Sequence, residues 1–217
     1  MAKQYKRINR FTSLPYVIDI LATEQLTLTN PENWPDKNEK VTLKKYKIAK
    51  GAKQLFCLCM SDSEENIHLW SEFAPSECGC FIKFNYDKLV EFLQQQKDLV
   101  FSNMEYVKIN DLPKFAIETE KLPFYKRHPF QPENEIRIIY LDYDGIKEPV
   151  RKIPFDINII ESITISGHLP KPVFENVKVI LQSVNESFTG KISQSTLFNN
   201  LLWKNNFDKH LKDSEGC

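Results

Sequence analysis

The sequence predicts a single α+β domain, and two observations lead to that fold class. Predicted strands and helices are interleaved along the 217 residues, but without the even spacing of repeated strand–helix–strand units. Hydrophobic residues make up 41% of the chain and aromatic residues 12%, which is enough to bury a core. We assign residues 1–190 to an α+β core domain and residues 191–217 to a C-terminal extension docked on that core.

Short strands and capped helices alternate in the first half of the chain. We predict a first strand over residues 5–11 and a helix over residues 14–24 that is capped by Ser13. Residues 61–63 are predicted to cap a later helix. The other elements predicted in this half are strands over residues 26–29, 54–60 and 79–84 and helices over residues 40–51 and 86–95.

The second half of the chain is predicted to contain fewer helices. Apolar patterning predicts strands over residues 104–109, 135–141 and 159–166 and a helix over residues 173–183. The placement of the segment after residue 190 on the core stays open.

Charge balance and hydropathy narrow the class of protein. The chain has 29 Lys and Arg residues against 29 Asp and Glu residues. This balance argues against a protein that mainly grips nucleic acid, because such affinity comes from many cations on phosphates. No stretch reaches the ~20 apolar residues of a membrane span, and the N-terminus lacks the apolar segment of a signal peptide. We therefore expect a cytoplasmic protein with no membrane partner.

The cysteines are predicted to be structural. Cys57 and Cys59 form one Cys-x-Cys pair, Cys78 and Cys80 form another, and Cys217 ends the chain. Each pair lies in a strand-like run, where cysteine usually serves as a small apolar core residue. Zinc ligands are more often spaced by two to four residues on a turn. We therefore expect no bound metal.

Residues 122–140, LPFYKRHPFQPENEIRIIY, concentrate charge in front of a short apolar strand. Glu135 and Arg137 lie two positions apart on that strand, so their side chains point to the same face. Lys126 and Arg127 precede them and could bind an anion. The segment predicts a polar site with Glu135 as the catalytic candidate and Arg137 as its support, although a purely structural ion pair would have the same pattern.

Five segments of the chain, taken in order, resemble one protein family. They are RFTSLPYVIDILATEQLTLTNPENWPDKNE, FCLCMSDSEENIHLWSEFA, CGCFIKF, LPFYKRHPFQPENEIRIIY and STLFNNLLWK. Their order and spacing resemble the bacterial proteins grouped as domain of unknown function 2971. Genes of that family often look like mobile or phage-defence cargo, so the resemblance implies a role in defence or in a toxin system.

The chain departs from the common pattern of that family in a loop and in a helix. Trp34, Asp36 and Asn38 stand in the loop where the family has an Asn-Asp-Pro-Phe-like sequence. Loops often carry functional groups, but Asp and Asn also serve ordinary turns. The helix reads Trp-Ser-Glu-Phe instead of Trp-Ser-His-Tyr, so Phe73 lacks the tyrosine hydroxyl and His68 is the candidate to replace part of the polar role.

The order of the elements is also similar to that of ADP-ribosyltransferases, especially the DNA-modifying branch. The resemblance implies a mixed, split β-sheet flanked by helices. It assigns NAD binding to Arg10 on the first strand, the nicotinamide wall to Trp70 or Phe73, and catalysis to Glu135. It further implies NAD as the cofactor and a protein or a nucleic acid as the acceptor.

Two other functions remain open from the sequence. A non-catalytic domain that senses a ligand or binds a protein would use the same cleft. A metal-dependent nuclease would need Asp36, Glu133 and Glu135 together on a divalent cation. The phosphate loops of kinases and of Rossmann enzymes are absent, and the whole chain has only 6 glycines from which to build one. The oligomeric state is left open as well.

Overall fold

The computed structural model describes residues 7–145 and 147–214, so the start of the first predicted strand and Cys217 lie outside the described residues. The helices are α1 (Leu14–Thr23), α2 (Lys37–Ala49), α3 (Ile67–Phe73), α4 (Tyr86–Gln95), α5 (Lys171–Val184) and α6 (Leu201–Ser214). The strands are β1 (Asn9–Ser13), β2 (Gln25–Thr29), β3 (Gln54–Ser61), β4 (Gly79–Phe84), β5 (Leu99–Asn103), β6 (Glu105–Val107), β7 (Tyr125–Arg127), β8 (Glu135–Asp142), β9 (Val150–Pro154), β10 (Ile160–Ile165) and β11 (Lys191–Gln194).

Nine of these strands form one mixed sheet. Their order is β11-β10-β4-β1-β3-β2-β9, with β8 paired to β3 and β5 paired to β8. β10 and β11 run parallel, whereas β1 and β4, β2 and β9, and β3 and β8 run antiparallel. β6 and β7 form a separate parallel pair. The α+β class with a mixed sheet flanked by helices is therefore confirmed.

The sheet is split around β3. β3 pairs with β8 along its whole length. In contrast, β1 pairs with β3 only at Asn9 and Ser61, and β2 pairs with β3 only at Thr29 and Cys57. Beyond these single contacts, β1 and β2 no longer pair with β3. A gap therefore opens in the sheet where β1 and β2 diverge from β3.

Two groups of helices cover the two faces of the sheet. α1, α4 and α5 pack on one face, where Ile136 and Ile138 of β8 enter the main core. α2 packs on the opposite face over Ile139 of β8, and α3 packs there over Phe81 of β4. Side chains alternate along a strand, so Glu135 and Arg137 share the face covered by α2.

Three predicted boundaries are wrong for local reasons. α3 is capped by Asn66, whose Oδ1 accepts the N–H of Leu69 at 3.0 Å, and not by residues 61–63. α2 begins at Lys37 because Asp36 caps it. The strand predicted over residues 104–109 is shortened to β6, because Met104 stands outside it with its N–H on the carbonyl oxygen of Glu135 at 2.9 Å, and a 3-10 turn begins at Ile109.

The last part of the chain begins inside the sheet. β11 forms an edge strand beside β10, so the segment after residue 190 starts as part of the sheet. α6 follows with large apolar side chains exposed, among them Leu202 and Trp203. The division at residue 190 stays a prediction. None of the helices in residues 7–145 and 147–214 has the length and apolar character needed to cross a membrane.

Candidate functional site

A cavity of about 420 Å³ lies at the split between β1 and β3. Its walls come from β1, β2 and β3, from the loop that leads into α2, from α3 and from the 3-10 turn before β8. The charged residues that line it include Arg10, Asp36, Glu39, Lys126, Glu133 and Glu135. The gap in the sheet therefore gathers charged side chains that are far apart in the sequence.

Five buried charges form a connected cluster on one wall of this cavity. Arg137 donates from Nε to Oε1 of Glu135 at 2.8 Å, and from Nη2 to the carboxylate of Glu39. Lys126 donates from Nζ to Oε2 of Glu135 at 2.8 Å and also to Glu133. Three carboxylates against two cations leave the cluster with one net negative charge.

This cluster holds Glu135 in its charged form. Burial alone would raise the pKa of Glu135, but Arg137 and Lys126 outweigh burial and lower that pKa to about 2. Burial also raises the pKa of Glu133, and there Lys126 does not outweigh it. Glu135 is therefore a carboxylate throughout the neutral range, beside a second carboxyl group that takes up a proton more readily.

Arg10 lines the same cavity as a buried cation with one unsatisfied hydrogen-bond donor among the described residues. The residue is only 8% exposed, and its Nη1 has no hydrogen-bond partner among the residues that the structure describes. Its guanidinium carbon lies 5.7 Å from the centre of the Tyr16 ring. Burial lowers the pKa of Arg10 to about 10, so the side chain stays charged at neutral pH. Buried donors are rarely left unsatisfied, so Arg10 is suited to an incoming anion.

Aromatic rings form part of the cavity wall. Phe11 and Phe73 line it directly. Trp70 is buried behind them, with its ring edge-on to Phe11 at 5.8 Å between centroids. Its Nε1 donates to Oε1 of Glu65 at 3.1 Å. Of the two predicted aromatic residues, the structure therefore brings Phe73 to the cavity and places Trp70 in a supporting position.

The predicted loop residues divide between two roles. Trp34 lines the cavity, and its ring centre lies 5.3 Å from the guanidinium carbon of Arg137. Asp36 also lines the cavity, but its Oδ1 accepts the backbone N–H of Asn38 at 2.7 Å and caps α2. Asp36 therefore serves as the N-cap of α2, which is an ordinary turn role for Asp in such a loop.

Besides Trp70 and Arg137, which lie behind the wall, three predicted site residues do not line this cavity. Asn38 and Arg127 line a neighbouring cavity instead. His68 is exposed on α3 and lines neither of the two cavities. The structure thus separates these side chains from Glu135 and Arg10.

The carboxylates proposed for a nuclease are not arranged around a common metal position. Within residues 7–145 and 147–214, no group of three or more His, Cys, Asp and Glu side chains is placed to hold a metal ion. Glu133 and Glu135 share Lys126 as a donor, and Asp36 caps a helix. The nuclease hypothesis therefore lacks an assembled ligand set in the described part of the chain.

Sequence reasoning missed two residues that hold the site in place. Glu39 reaches Arg137 from α2, where it shares the buried face with Leu43 and Tyr46. A carboxylate inside the apolar stripe of a helix is a signal that could have identified it. The hydroxyl of Tyr106 accepts the backbone N–H of Glu135 at 2.8 Å. No sequence pattern predicts that contact.

A hydrogen-bonded turn sets the spacing between Glu133 and Glu135. Asn134 lies between them with a φ of 44°, a left-handed conformation that Asn adopts more readily than most residues. Its Nδ2 donates to the hydroxyl of Ser63 at 2.9 Å, and its carbonyl oxygen accepts the N–H of Asp62 at 2.8 Å. The turn therefore anchors the start of β8 to the end of β3.

Replacement of Asn134 tests this turn. Asn134→Gly retains a residue that tolerates positive φ and loses the hydrogen bond to Ser63, so we expect the free energy of unfolding to fall by about 1 kcal/mol. Asn134→Ala adds backbone strain, so we expect a further loss of about 1 kcal/mol. Urea denaturation measures both variants, and equal stabilities would contradict the strained turn.

The pKa of Glu135 predicts a specific acid sensitivity. That pKa is about 2 in the folded chain against an ordinary value of 4.5, so the unfolded chain binds the proton first as the pH falls. The stabilisation from this carboxylate is complete above pH 4.5 and is lost as the pH falls towards 2. Urea denaturation across this range should show a steeper decline for wild type than for Glu135→Gln. Parallel pH profiles would contradict the assignment.

Comparisons with known proteins give a distant likeness of fold. No protein-family model matches the chain, and no curated protein matches it either. It is similar to the structure of Thermus sp. 2.9 DarT in complex with ADP-ribosylated ssDNA, with a TM-score of 0.46, 12% identity, and coverage of 89% of this chain and 95% of that chain. It is also similar to Thermus sp. 2.9 DarT in complex with NAD+, with a TM-score of 0.44, 10% identity, and coverage of 90% and 98%. At this level of likeness, the function has to be argued from the cavity itself.

Proposed function

We propose that the chain is an NAD-using enzyme of the ADP-ribosyltransferase type, with Glu135 as its catalytic residue. The observation that carries the proposal is the presence, within one cavity, of a buried cation at Arg10, whose Nη1 lacks a hydrogen-bond partner in the described residues, and of a permanent carboxylate at Glu135. A dinucleotide that is anionic at its pyrophosphate and cationic at its nicotinamide end has the matching charges.

Arg10 is proposed to bind the pyrophosphate. Its guanidinium is buried and charged, and Nη1 has no partner in the described part of the chain. Hydrogen bonds between arginine and phosphate oxygens are charge-assisted and therefore strong. An anion at this position would remove the cost of leaving a buried donor unsatisfied.

Glu135 is proposed to stabilise the ribosyl centre of NAD during bond cleavage. The bond between the ribose carbon and the nicotinamide nitrogen breaks, its electron pair leaves with neutral nicotinamide, and positive charge develops on the ribosyl carbon. A fixed carboxylate close to that centre lowers the barrier because it needs no reorganisation. Attack by an acceptor completes a transfer, and attack by water completes a hydrolysis.

Neighbouring residues are proposed to orient the two reacting parts. Phe73 and Phe11 would form the aromatic wall for nicotinamide, since both line the cavity. Arg137 and Lys126 hold the carboxylate of Glu135 through Oε1 and Oε2 respectively. They act as positioning residues, and the net negative charge of the cluster still favours a cationic ligand.

The biological setting is a separate part of the proposal. The resemblance to the domain of unknown function 2971 family supports a bacterial, cytoplasmic protein of a phage-defence or toxin system. The acceptor in that setting would be a protein or a nucleic acid.

A non-catalytic ligand-binding domain is the second candidate. One observation favours it, because both carboxylate oxygens of Glu135 already accept hydrogen bonds from Arg137 and Lys126. A carboxylate that only supports the fold would look the same. Such a domain would bind a ligand in the cavity but would release no nicotinamide.

Calorimetric titration with NAD and an assay of nicotinamide release test the enzyme proposal. We expect wild type to bind NAD and release nicotinamide, and Glu135→Gln to lose release at least about a hundredfold, as electrostatic catalytic groups do. Glu91→Gln is the matched control because Glu91 is exposed on α4 and does not line the cavity, and it should retain release. Absence of NAD binding by folded wild type would overturn the proposal, and binding without release would favour the non-catalytic domain.

Arg10→Met tests the anion site without breaking an ion pair. It removes a buried donor that has no hydrogen-bond partner in the described residues, so we expect the free energy of unfolding to rise by about 1 kcal/mol while NAD binding weakens at least about tenfold. Arg151→Met is the control, because Arg151 lies on β9 and donates to the hydroxyl of Tyr140 at 3.0 Å. The control should show neither effect. Unchanged NAD affinity in Arg10→Met would remove Arg10 from the site.

A further inference from the structure

A second cavity of about 340 Å³ lies beside the first. It is bounded by the first turns of α2 and by the chain between β6 and β7. Asp36, Glu39 and Lys126 line both cavities, so the two are neighbours across a shared wall. A group held in the second cavity would therefore lie next to the charged cluster around Glu135.

The outer wall of the second cavity is unusually apolar for a protein surface. Ile109, Leu112 and Ile117 line it and are exposed by 56%, 46% and 61% respectively. Phe115 and Tyr125 add two rings that meet edge-on, with 4.9 Å between their centroids. Contiguous exposed apolar surface of this kind usually marks a binding site.

Among the cations that line the second cavity, only Arg127 has no ion pair in the described part of the chain. Glu39 and Lys126 are engaged in the buried cluster, and Asp36 caps α2. Arg127 is exposed and forms no ion pair with any residue between 7 and 145 or between 147 and 214. The complementary occupant thus has an apolar body and one adjacent negative charge.

We propose that the second cavity is the acceptor site, and that the acceptor is a protein that presents an apolar side chain next to an acidic one. This inference rests on the proposed function, because an acceptor is needed only if the first cavity transfers a group from NAD. The apolar side chain would contact Leu112 and Ile117, and the acidic one would pair with Arg127. A nucleic acid fits this wall less well, because a polyanion needs several free cations and would meet the carboxylate of Asp36.

Methyl NMR spectra of the full chain test the site directly, because Ile109 and Ile117 supply reporter methyl groups. The probes are acetyl-Phe-Asp-amide, acetyl-Phe-Lys-amide and a single-stranded DNA octamer of mixed sequence. We expect the acidic peptide to shift both methyl signals, and the basic peptide to bind at least about tenfold more weakly. The DNA octamer should leave both signals in place.

Variants of the wall separate this cavity from other apolar surfaces. Leu112→Asp and Arg127→Glu should each weaken the acidic peptide at least about tenfold. Leu202→Asp is the control, because Leu202 is exposed on α6 and lines neither of these two cavities. An equal loss of binding in the control would overturn the assignment.

The remaining outcomes distinguish this inference from the proposed function. NAD binding without peptide binding at millimolar concentration would overturn the acceptor site and leave the enzyme proposal intact. Peptide binding without NAD binding would retain the peptide site and overturn the enzyme proposal. Methyl shifts caused by the DNA octamer alone would overturn the protein acceptor and assign the cavity to a nucleic acid.

Discussion

The guanidinium of Arg137 is the contact on which the geometry of the site depends. It is fully buried and donates to Glu135, to Glu39 and to the carbonyl oxygen of Pro123. It thereby joins β8, α2 and the turn before β7. Removing one partner of a buried ion pair costs about 3–5 kcal/mol, so loss of either carboxylate would leave Arg137 uncompensated where these three elements meet. Because Glu135 is one of the acceptors, its carboxylate has a fixed direction before any ligand arrives.

Arg10 differs from Arg137 because one of its buried donors lacks a hydrogen-bond partner. Its buried Nη1 has no partner in the described residues, which is a cost that the fold itself does not recover. The split in the sheet explains how the residue comes to be there, because β1 leaves β3 after Asn9 and carries Arg10 along the edge of the gap. On one side of the cavity the charged groups of the Glu135 cluster are hydrogen-bonded to one another. On the other side, the Nη1 donor of Arg10 is left for a ligand to satisfy.

Local patterns predicted most of the helices and the face of the key strand, but they missed the strands β5, β7, β9 and β11. The predicted bounds of β4 and α4 agree with the structure, because turn and capping residues mark both ends of these elements. The alternation of side chains along β8 correctly places Glu135 and Arg137 on the same face. Local sequence could not predict that Glu39 meets Arg137, since the two residues are 98 positions apart and only the packing of α2 brings them together.

The remaining site predictions succeed or fail for a similar reason. The sequence placed Trp70 and Phe73 on the same helix, but only the contact of α3 with Phe11 decides which ring reaches the cavity. Arg127 was grouped with Lys126 as a neighbour in the sequence. In the structure Lys126 lines both cavities, whereas Arg127 lines the second cavity but not the first.

A crystal structure of the chain with NAD tests the central claim most directly. The account predicts a phosphate oxygen within hydrogen-bond distance of the Arg10 guanidinium, and the nicotinamide-bearing ribose beside Glu135. NAD bound elsewhere on the chain, or bound in the cavity with Arg10 still unpaired, would contradict the account.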